Sequence, residues 1–227
     1  MERPTAIVSE NSYGFRKPNC TVTYKFPRRQ PREKDKFFLL CALGHGSSGK
    51  AFLATTQRGN AFVFKMYFVN SEGMVNFSVK ERANKVKEQQ AKNKKVAVAE
   101  CCLWKELYPD LDYYTHVRQL NEIWCLSMPY AASVPLEKRP ETLLLVEKEL
   151  TRFAEQGFTY ASKDVRWRHV GRIKVEGESK ILLLDLGSLV KRNLFTKEQV
   201  KKEVEATVSQ LGRRAGTDKV APPAPIY

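Results

Sequence analysis

A glycine-rich hexapeptide is the first segment whose residue types and spacing suggest a chemical role. Gly44-His45-Gly46-Ser47-Ser48-Gly49 has the G-x-G-x-x-G spacing, which lets backbone amides approach phosphate groups closely. Alone the motif is weak, because glycines also make plain hairpin turns. A dinucleotide-binding version would open a helix, whereas residues 50–55 have the composition of a returning strand. The sequence therefore predicts a strand–loop–strand hairpin whose loop covers a triphosphate.

A lysine lies in the middle of the next apolar run, Val63-Phe64-Lys65. A charge at such a position is costly unless it is paired. Lys65 is either an edge lysine that reaches solvent, or an ammonium that bridges nucleotide phosphates and a helix carboxylate. Glu100 is the candidate carboxylate, since it is the lone acid in the nearly apolar helical segment 96–104. Glu106, one helical face away, is the alternative.

Two aspartates follow at positions suited to a cleft. Asp164 comes shortly after a predicted helix, and Asp185 closes the apolar run that precedes Gly187. An aspartate that ends a buried strand before a glycine can project outward and bind a metal ion. For either aspartate alone, a turn or capping role is the competing interpretation. Finding all of these residues in this order is harder to attribute to chance.

From Phe37 to about Val190 the chain resembles eukaryotic-type protein kinases. Met128-Pro129-Tyr130 resembles the hinge that reaches the adenine edge. Ser162-Lys163-Asp164 replaces His-Arg-Asp, and Asp185-Leu186-Gly187 replaces Asp-Phe-Gly. The Asp-Val-Arg-Trp-x-x-Val pattern that begins at Asp164 looks like the compact kinase-like domains of Crinkler-type effectors of oomycetes and fungi.

The resemblance implies an α+β, two-lobed, protein-kinase-like fold that binds ATP with Mg²⁺ or Mn²⁺. The antiparallel sheet of the N-lobe would carry one helix. Asp164 would accept the proton of the acceptor hydroxyl, and Lys163 or Arg166 would neutralise developing charge. The implied sites are catalytic residues Lys65, Lys163, Asp164 and Arg166; nucleotide contacts Gly44, Gly46, Ser47, Ser48, Gly49, Lys65, Glu100, Met128 and Tyr130; and metal ligands Asp185 and His169.

The chain departs from the kinase pattern in three places. His169 stands five residues after Asp164, where the resemblance predicts an asparagine ligand of the second metal. Ser162 stands where the catalytic-loop histidine is expected. After Gly187 only about forty residues remain, without an Ala-Pro-Glu motif, so the resemblance implies a shortened helical C-lobe.

Three functions are therefore compatible with the sequence. The first is phosphoryl transfer from ATP to a hydroxyl acceptor, with protein Ser/Thr as the expected class. The second is a pseudokinase or nucleotide-gated interaction module, which His169 and the short C-terminal part favour. The third is a basic nucleic-acid-binding protein that uses Arg28-Arg29 and the lysines at 92–95, although no interleaved aromatic pattern accompanies them in the sequence.

The sequence predicts three regions. Residues 1–35 form a basic, irregular extension; residues 36–131 form the N-lobe with an insertion at about 70–95; residues 132–227 form a reduced C-lobe and a flexible tail. The insertion is expected to be exposed, and either helical or disordered. Strands are predicted at 37–43, 50–55, 61–69, 117–120, 123–128 and 180–186, and helices at 96–108, 142–156 and 198–211.

Composition limits the remaining possibilities. The 227 residues include 42% hydrophobic residues and carry a formal net charge of +14, which favours a folded protein with a polyanionic partner or ligand. Five cysteines without a Cys-x-x-Cys pair indicate free thiols in a reducing compartment. No apolar stretch reaches transmembrane length. We expect a cytoplasmic or nuclear protein, or one secreted into a host cell if it is an effector.

Overall fold

The computed structural model describes residues 37–46, 49–56, 61–69, 77–160, 165–175, 178–192, 196–216 and 224–225. The chain divides into two compact units. Unit 1 contains Met1–Tyr130 and Pro222–Tyr227, and unit 2 contains Ala131–Ala221. The last residues of the chain thus group with unit 1, whereas the sequence analysis placed residues 132–227 together.

Unit 1 is built on an antiparallel sheet whose strand order is β11-β1-β2-β3-β5-β4. Hairpins connect β1 to β2, β2 to β3 and β4 to β5, and β3 pairs with β5 in the middle of the sheet. The strands are β1 (Phe37–Gly46), β2 (Gly49–Thr56), β3 (Ala61–Tyr67), β4 (His116–Leu120), β5 (Ile123–Pro129) and β11 (Ala224–Pro225).

Alternation along β3 gives the sheet two different faces. Phe62 and Phe64 are fully buried on one face, where the Phe37 ring packs edge-on against both, at centroid distances of 6.2 and 4.8 Å. Lys65 and Tyr67 alternate with them and therefore point to the opposite face. A helix from the same unit packs against this second face.

That helix is α1 (Val79–Leu107), which is 29 residues long. The sequence analysis predicted a helix over 96–108 and left the preceding charged segment open between helix and disorder. Both parts form one helix, because Ser78 and Glu81 make a capping box at its start and no Gly or Pro interrupts it. Pro109 follows at its end and begins a 3₁₀ turn (Pro109–Tyr114).

Unit 2 combines two helices with short strands. Its helices are α2 (Arg139–Glu155) and α3 (Lys197–Arg213), and its strands are β6 (Ala132–Ser133), β7 (Phe158–Tyr160), β8 (Val170–Val175), β9 (Glu178–Leu183) and β10 (Leu189–Lys191). The strands form a β6-β8-β9 sheet and a separate β7-β10 pair. The fully buried Trp167 ties α3 to this unit, because its indole N–H donates to the Leu211 carbonyl at 3.0 Å.

The predicted α+β fold class is confirmed: an antiparallel sheet with one long helix is followed by a smaller unit of two helices and short strands. Strand β9 is shorter than the predicted 180–186. It ends at Leu183, and Leu186–Ser188 forms a 3₁₀ turn. No helix in the described ranges is both long and apolar enough to cross a bilayer.

Candidate functional site

The Lys65 ammonium of β3 is held by the Glu100 carboxylate of α1. Lys65 Nζ lies 2.9 Å from Glu100 Oε1 and 2.7 Å from Oε2. The carboxylate is 2% exposed and the lysine side chain 14% exposed, so the ammonium keeps a narrow path to solvent. Glu106, the alternative carboxylate, is exposed. A buried pair of this kind contributes little net stability, but loss of one partner leaves an uncompensated charge.

Tyr67 is a third member of this cluster that the sequence analysis did not identify. Its hydroxyl donates to Glu100 Oε2 at 2.9 Å. Burial, followed by the Glu100 charge, raises the pKa of Tyr67 far above its usual value, so the phenol remains a proton donor. The signal was available in the sequence, since Lys65 and Tyr67 are two residues apart on one strand and share a face.

The middle of α1 is fixed to the end of β3 by Asn93. This buried amide donates to the Tyr67 carbonyl at 2.8 Å and to the Phe68 carbonyl at 3.2 Å. Glu100 lies seven residues, about two helical turns, after Asn93, so both side chains occupy the same helix face. Asn93 thereby sets the position from which Glu100 reaches Lys65.

The glycine motif lies where β1 turns into β2. Gly46 pairs with Gly49, which leaves Ser47 and Ser48 as the two loop residues, and both lie outside the described residues. A Cβ at Gly49 would collide with the Met66 carbonyl of β3, so packing alone requires glycine there. A Cβ at Gly44 would meet nothing within 4 Å, and Gly44 is therefore not required by contacts with its neighbours.

The predicted hinge residues end β5 and unit 1. Met128 is buried and pairs with Val63 of β3, and Pro129 pairs with Phe62. Tyr130 is partly buried, which raises the pKa of its hydroxyl, with a smaller contribution from Cys41. It therefore stays protonated near neutral pH.

In unit 2, Asp185 and His169 lie near one another. Asp185 Oδ2 is 4.0 Å from His169 Nε2 and accepts a hydrogen bond from Ser188 Oγ at 2.9 Å. The Leu184 N–H donates to the His169 carbonyl at 2.8 Å, which fixes the two segments together. Asp185 lies two residues after the end of β9, and its carboxylate is 34% exposed.

Two donors approach the His169 ring from opposite sides. The Arg166 N–H points to Nδ1 at 3.4 Å, and Arg168 Nε points to Nε2 at 3.0 Å. A neutral imidazole accepts at only one nitrogen, so both hydrogen bonds cannot exist together. The contact to Nε2 is the shorter of the two. Lys163 and Asp164 lie outside the described residues.

The geometry offers two chemically distinct groups. Unit 1 carries a partly accessible ammonium, suited to phosphate oxygens, and unit 2 carries a carboxylate suited to a hard divalent cation. Within the described ranges, no cluster of three or more His, Cys, Asp or Glu side chains could hold a metal by itself.

Solved kinase structures are similar to the chain at low identity. One is the crystal structure of the kinase domain of PF14_0431, with a TM-score of 0.45 and 14% identity over 77% of this chain and 57% of that one. Another is the Rio2 kinase–ADP/Mg²⁺–phosphoaspartate complex from Chaetomium thermophilum, with a TM-score of 0.48 and 12% identity over 81% of this chain and 59% of that one. The chain spans less than two thirds of either structure, and likenesses at these TM-scores do not establish an activity.

Sequence comparison gives the family. No curated protein matched the chain. A family model described as a family of unknown function, DUF5898, matches residues 42–173, which is more than half of the chain. The matched segment includes Lys65, Glu100 and His169 and ends before Asp185. The chain belongs to the DUF5898 family.

Proposed function

We propose that this chain is an ATP-binding, kinase-like protein that transfers a phosphoryl group from ATP to a hydroxyl acceptor. The observation that carries the proposal is the Lys65–Glu100 pair. An ammonium in an apolar central strand, bound by both oxygens of a buried carboxylate, has a fixed position and remains partly accessible. Such a group is well suited to hold phosphate oxygens in transfer chemistry.

The proposal assigns phosphate binding to unit 1. Backbone amides of the glycine motif and Lys65 would bind phosphate oxygens, with Glu100 orienting Lys65. The open space at the Gly44 Cα supports this assignment, because a ligand can approach the backbone there. Met128 and Tyr130 would contact the adenine.

Metal binding and proton acceptance are assigned to unit 2. Asp185 would hold the cation, and the accessible carboxylate supports this role. When bound, Mg²⁺ or Mn²⁺ would supply charge neutralisation on the phosphates. Asp164 would accept the acceptor hydroxyl's proton as the new P–O bond forms and the bond between the γ-phosphorus and the β,γ-bridging oxygen breaks, releasing ADP. Lys163 or Arg166 would offset developing charge.

The acceptor class, the relationship to other proteins and the location are proposed from the sequence. We propose protein Ser/Thr as the acceptor class, a relationship to Crinkler-type effectors, and a cytoplasmic, nuclear or host-delivered location. A pseudokinase is the second candidate, favoured by His169 at the expected asparagine position and by Ser188, which already donates to Asp185 Oδ2.

Two measurements on the same protein test the proposal. ATP added with Mg²⁺ or Mn²⁺ should raise the melting temperature, since a ligand at one hundred times its Kd stabilises by about 2.7 kcal/mol. Transfer of label from [γ-³²P]ATP to the protein itself or to a mixed Ser/Thr peptide library should be lost in Asp164→Asn. A melting shift without transfer would favour the pseudokinase. Absence of any shift with either metal would overturn ATP binding.

A further inference from the structure

The first half of α1 carries an exposed basic surface. Residues 79–95 contain seven lysines or arginines and two glutamates. One of the glutamates, Glu81, is engaged in the capping box with Ser78. All seven cationic residues are exposed: Lys80, Arg82, Lys85, Lys87, Lys92, Lys94 and Lys95. From Lys80 to Lys95 the helix extends about 22 Å, so the positive charge forms an elongated surface.

Aromatic rings lie within or beside this surface: Phe77 just precedes α1, and Phe68 and Trp124 come from other segments of unit 1. Lys85 Nζ lies 4.3 Å from the Phe77 ring centroid, and Lys94 Nζ lies 5.0 Å from that of Trp124. Phe68 is 39% exposed and adjoins the helix, because Asn93 donates to its carbonyl. The fold thus interleaves lysines and aromatic rings, which the linear sequence does not show.

We propose that this surface, the basic surface of α1, binds single-stranded nucleic acid. Ammonium groups would neutralise backbone phosphates, and the exposed Phe68, with the half-buried Phe77 and Trp124, would stack on bases. An anionic membrane fits less well, because the exposed positions of 79–95 contain no Leu, Phe or Trp to enter the interface. Unit 1 alone supplies all of these residues, and the proposal does not depend on phosphoryl transfer.

The test measures the fluorescence anisotropy of labelled 20-nucleotide oligo-uridine RNA, and of the matching oligo-thymidine DNA, at several KCl concentrations. The full chain should bind both probes, with affinity falling steeply as salt rises. The variant Lys87→Glu/Lys92→Glu/Lys95→Glu should bind at least tenfold more weakly. Its salt slope should be shallower by about two, since each phosphate contact on a single strand contributes about 0.7 to the slope.

A second triple variant controls for net charge. Lys148, Lys197 and Lys202 are exposed on α2 and α3 of unit 2, and Lys148→Glu/Lys197→Glu/Lys202→Glu has the same total charge as the α1 variant. It should bind within about threefold of the wild type. Equal weakening in both variants would overturn the proposal, because binding would then follow net charge and not α1. An α1 variant that binds like the wild type would overturn it as well.

The aromatic contribution is tested by Phe68→Ala in the otherwise unchanged chain. Loss of a stacking partner should weaken binding roughly fivefold or more and leave the salt slope unchanged. Thermal melting of each variant checks that the fold is retained. Co-sedimentation with phosphatidylserine/phosphatidylcholine vesicles should show no binding. Binding to vesicles without binding to either oligonucleotide would overturn the proposal in favour of a membrane surface.

Discussion

The buried Glu100 has the Lys65 ammonium as a partner, so Lys65 has a structural role in addition to the phosphate contact that we propose for it. We predict that Lys65→Met abolishes nucleotide-dependent activity and also lowers stability. Breaking a buried ion pair by removing one member costs about 3–5 kcal/mol. The sequence alone predicts only the loss of activity, since it does not show how deeply Glu100 is buried. Denaturant unfolding and ATP turnover measure the two effects separately.

The double variant Lys65→Met/Glu100→Gln separates these roles. It removes the uncompensated charge and leaves an amide oxygen that can still accept from Tyr67, so most of the lost stability should return. Activity should not return, because no ammonium is present for the phosphates. Full activity in either variant would show that Lys65 does not bind the nucleotide.

Tyr67 is expected to hold the Glu100 carboxylate in place together with Lys65, since both donate hydrogen bonds to it. Tyr67→Phe removes the hydroxyl donor to Oε2, and a hydrogen bond to a charged group contributes about 1.5–3 kcal/mol. We expect a loss of that size in unfolding free energy, and a higher KM for ATP with a smaller change in kcat. Unchanged stability and KM would show that Lys65 alone is enough to orient the carboxylate.

Because the pKa of Tyr67 is raised, we predict that the stability of the wild type and that of Tyr67→Phe depend differently on pH. In the folded chain burial and Glu100 keep this phenol protonated, whereas in the unfolded chain it ionises near pH 10. Its stabilising contribution is therefore complete below pH 10 and decreases as the pH rises above that value. The wild type should lose more stability between pH 9 and 11 than Tyr67→Phe does, and parallel losses would contradict the assignment.

His169 determines what we expect of the metal dependence. Mg²⁺ prefers oxygen ligands, whereas Mn²⁺ accepts imidazole more readily, so wild-type turnover should be slow in Mg²⁺ and faster in Mn²⁺. His169→Asn should raise Mg²⁺-supported activity several-fold, so that turnover in Mg²⁺ comes closer to turnover in Mn²⁺. His169→Leu, which supplies no oxygen, is the control and should not. A wild type that is already fully active in Mg²⁺ would contradict a role for His169 at a metal.

At the scale of elements, Gly44 and Gly49 of the hairpin formed by β1 and β2 have different surroundings. Gly49→Ala would push a methyl group against the Met66 carbonyl and should destabilise the sheet by more than about 1 kcal/mol. Gly44→Ala meets open space and should leave the melting temperature unchanged while weakening ATP binding. Thermal melting and ATP titration of both variants check the pair. Undiminished ATP affinity in Gly44→Ala would argue against a nucleotide at this loop.

The sequence predicted elements well where a single chemical signal dominated. Residues 61–69 are rich in Val, Phe and Tyr, which indicated a strand, and residues 96–107 show helical spacing of apolar residues. The start of α1 could not be predicted in the same way. Residues 79–95 have no extended apolar face, and the capping box at Ser78 together with the Asn93 contacts to β3 stabilises them as helix.

Apart from β9, the short strands of unit 2 were not predicted, because tertiary pairing creates them. β7 has only three residues, Phe158–Tyr160, and it becomes a strand by pairing with β10 about thirty residues later. No strand was predicted where β8 lies, although β8 forms a hairpin with β9. For the candidate site, the sequence identified Lys65, Glu100 and Asp185, whereas Asn93 and Ser188 act through contacts that only the fold reveals.

At the scale of the whole molecule, the positive charge is divided among separate regions. Residues 1–35 contain eight basic and four acidic side chains, whereas residues 79–95 contain seven and two. The two regions differ in their relation to the fold. The segment 79–95 continues into the part of α1 that holds Glu100, while β1, the first described strand, begins at Phe37.

We therefore predict that removing residues 1–35 leaves the melting temperature within about 2 °C of the full chain. Four prolines and the absence of apolar periodicity indicate that this extension adds little to the core. The matched control is Phe37→Ala in the shortened chain. The Phe37 ring is buried, packs against Phe62 and Phe64, and has the Arg118 guanidinium 5.2 Å from its centroid. Truncating a buried phenylalanine costs about 3–5 kcal/mol, which in a chain of this size lowers the melting temperature by roughly 6 °C or more. If removal of residues 1–35 alone caused a drop of that size, the extension would have to be counted as part of the folded unit.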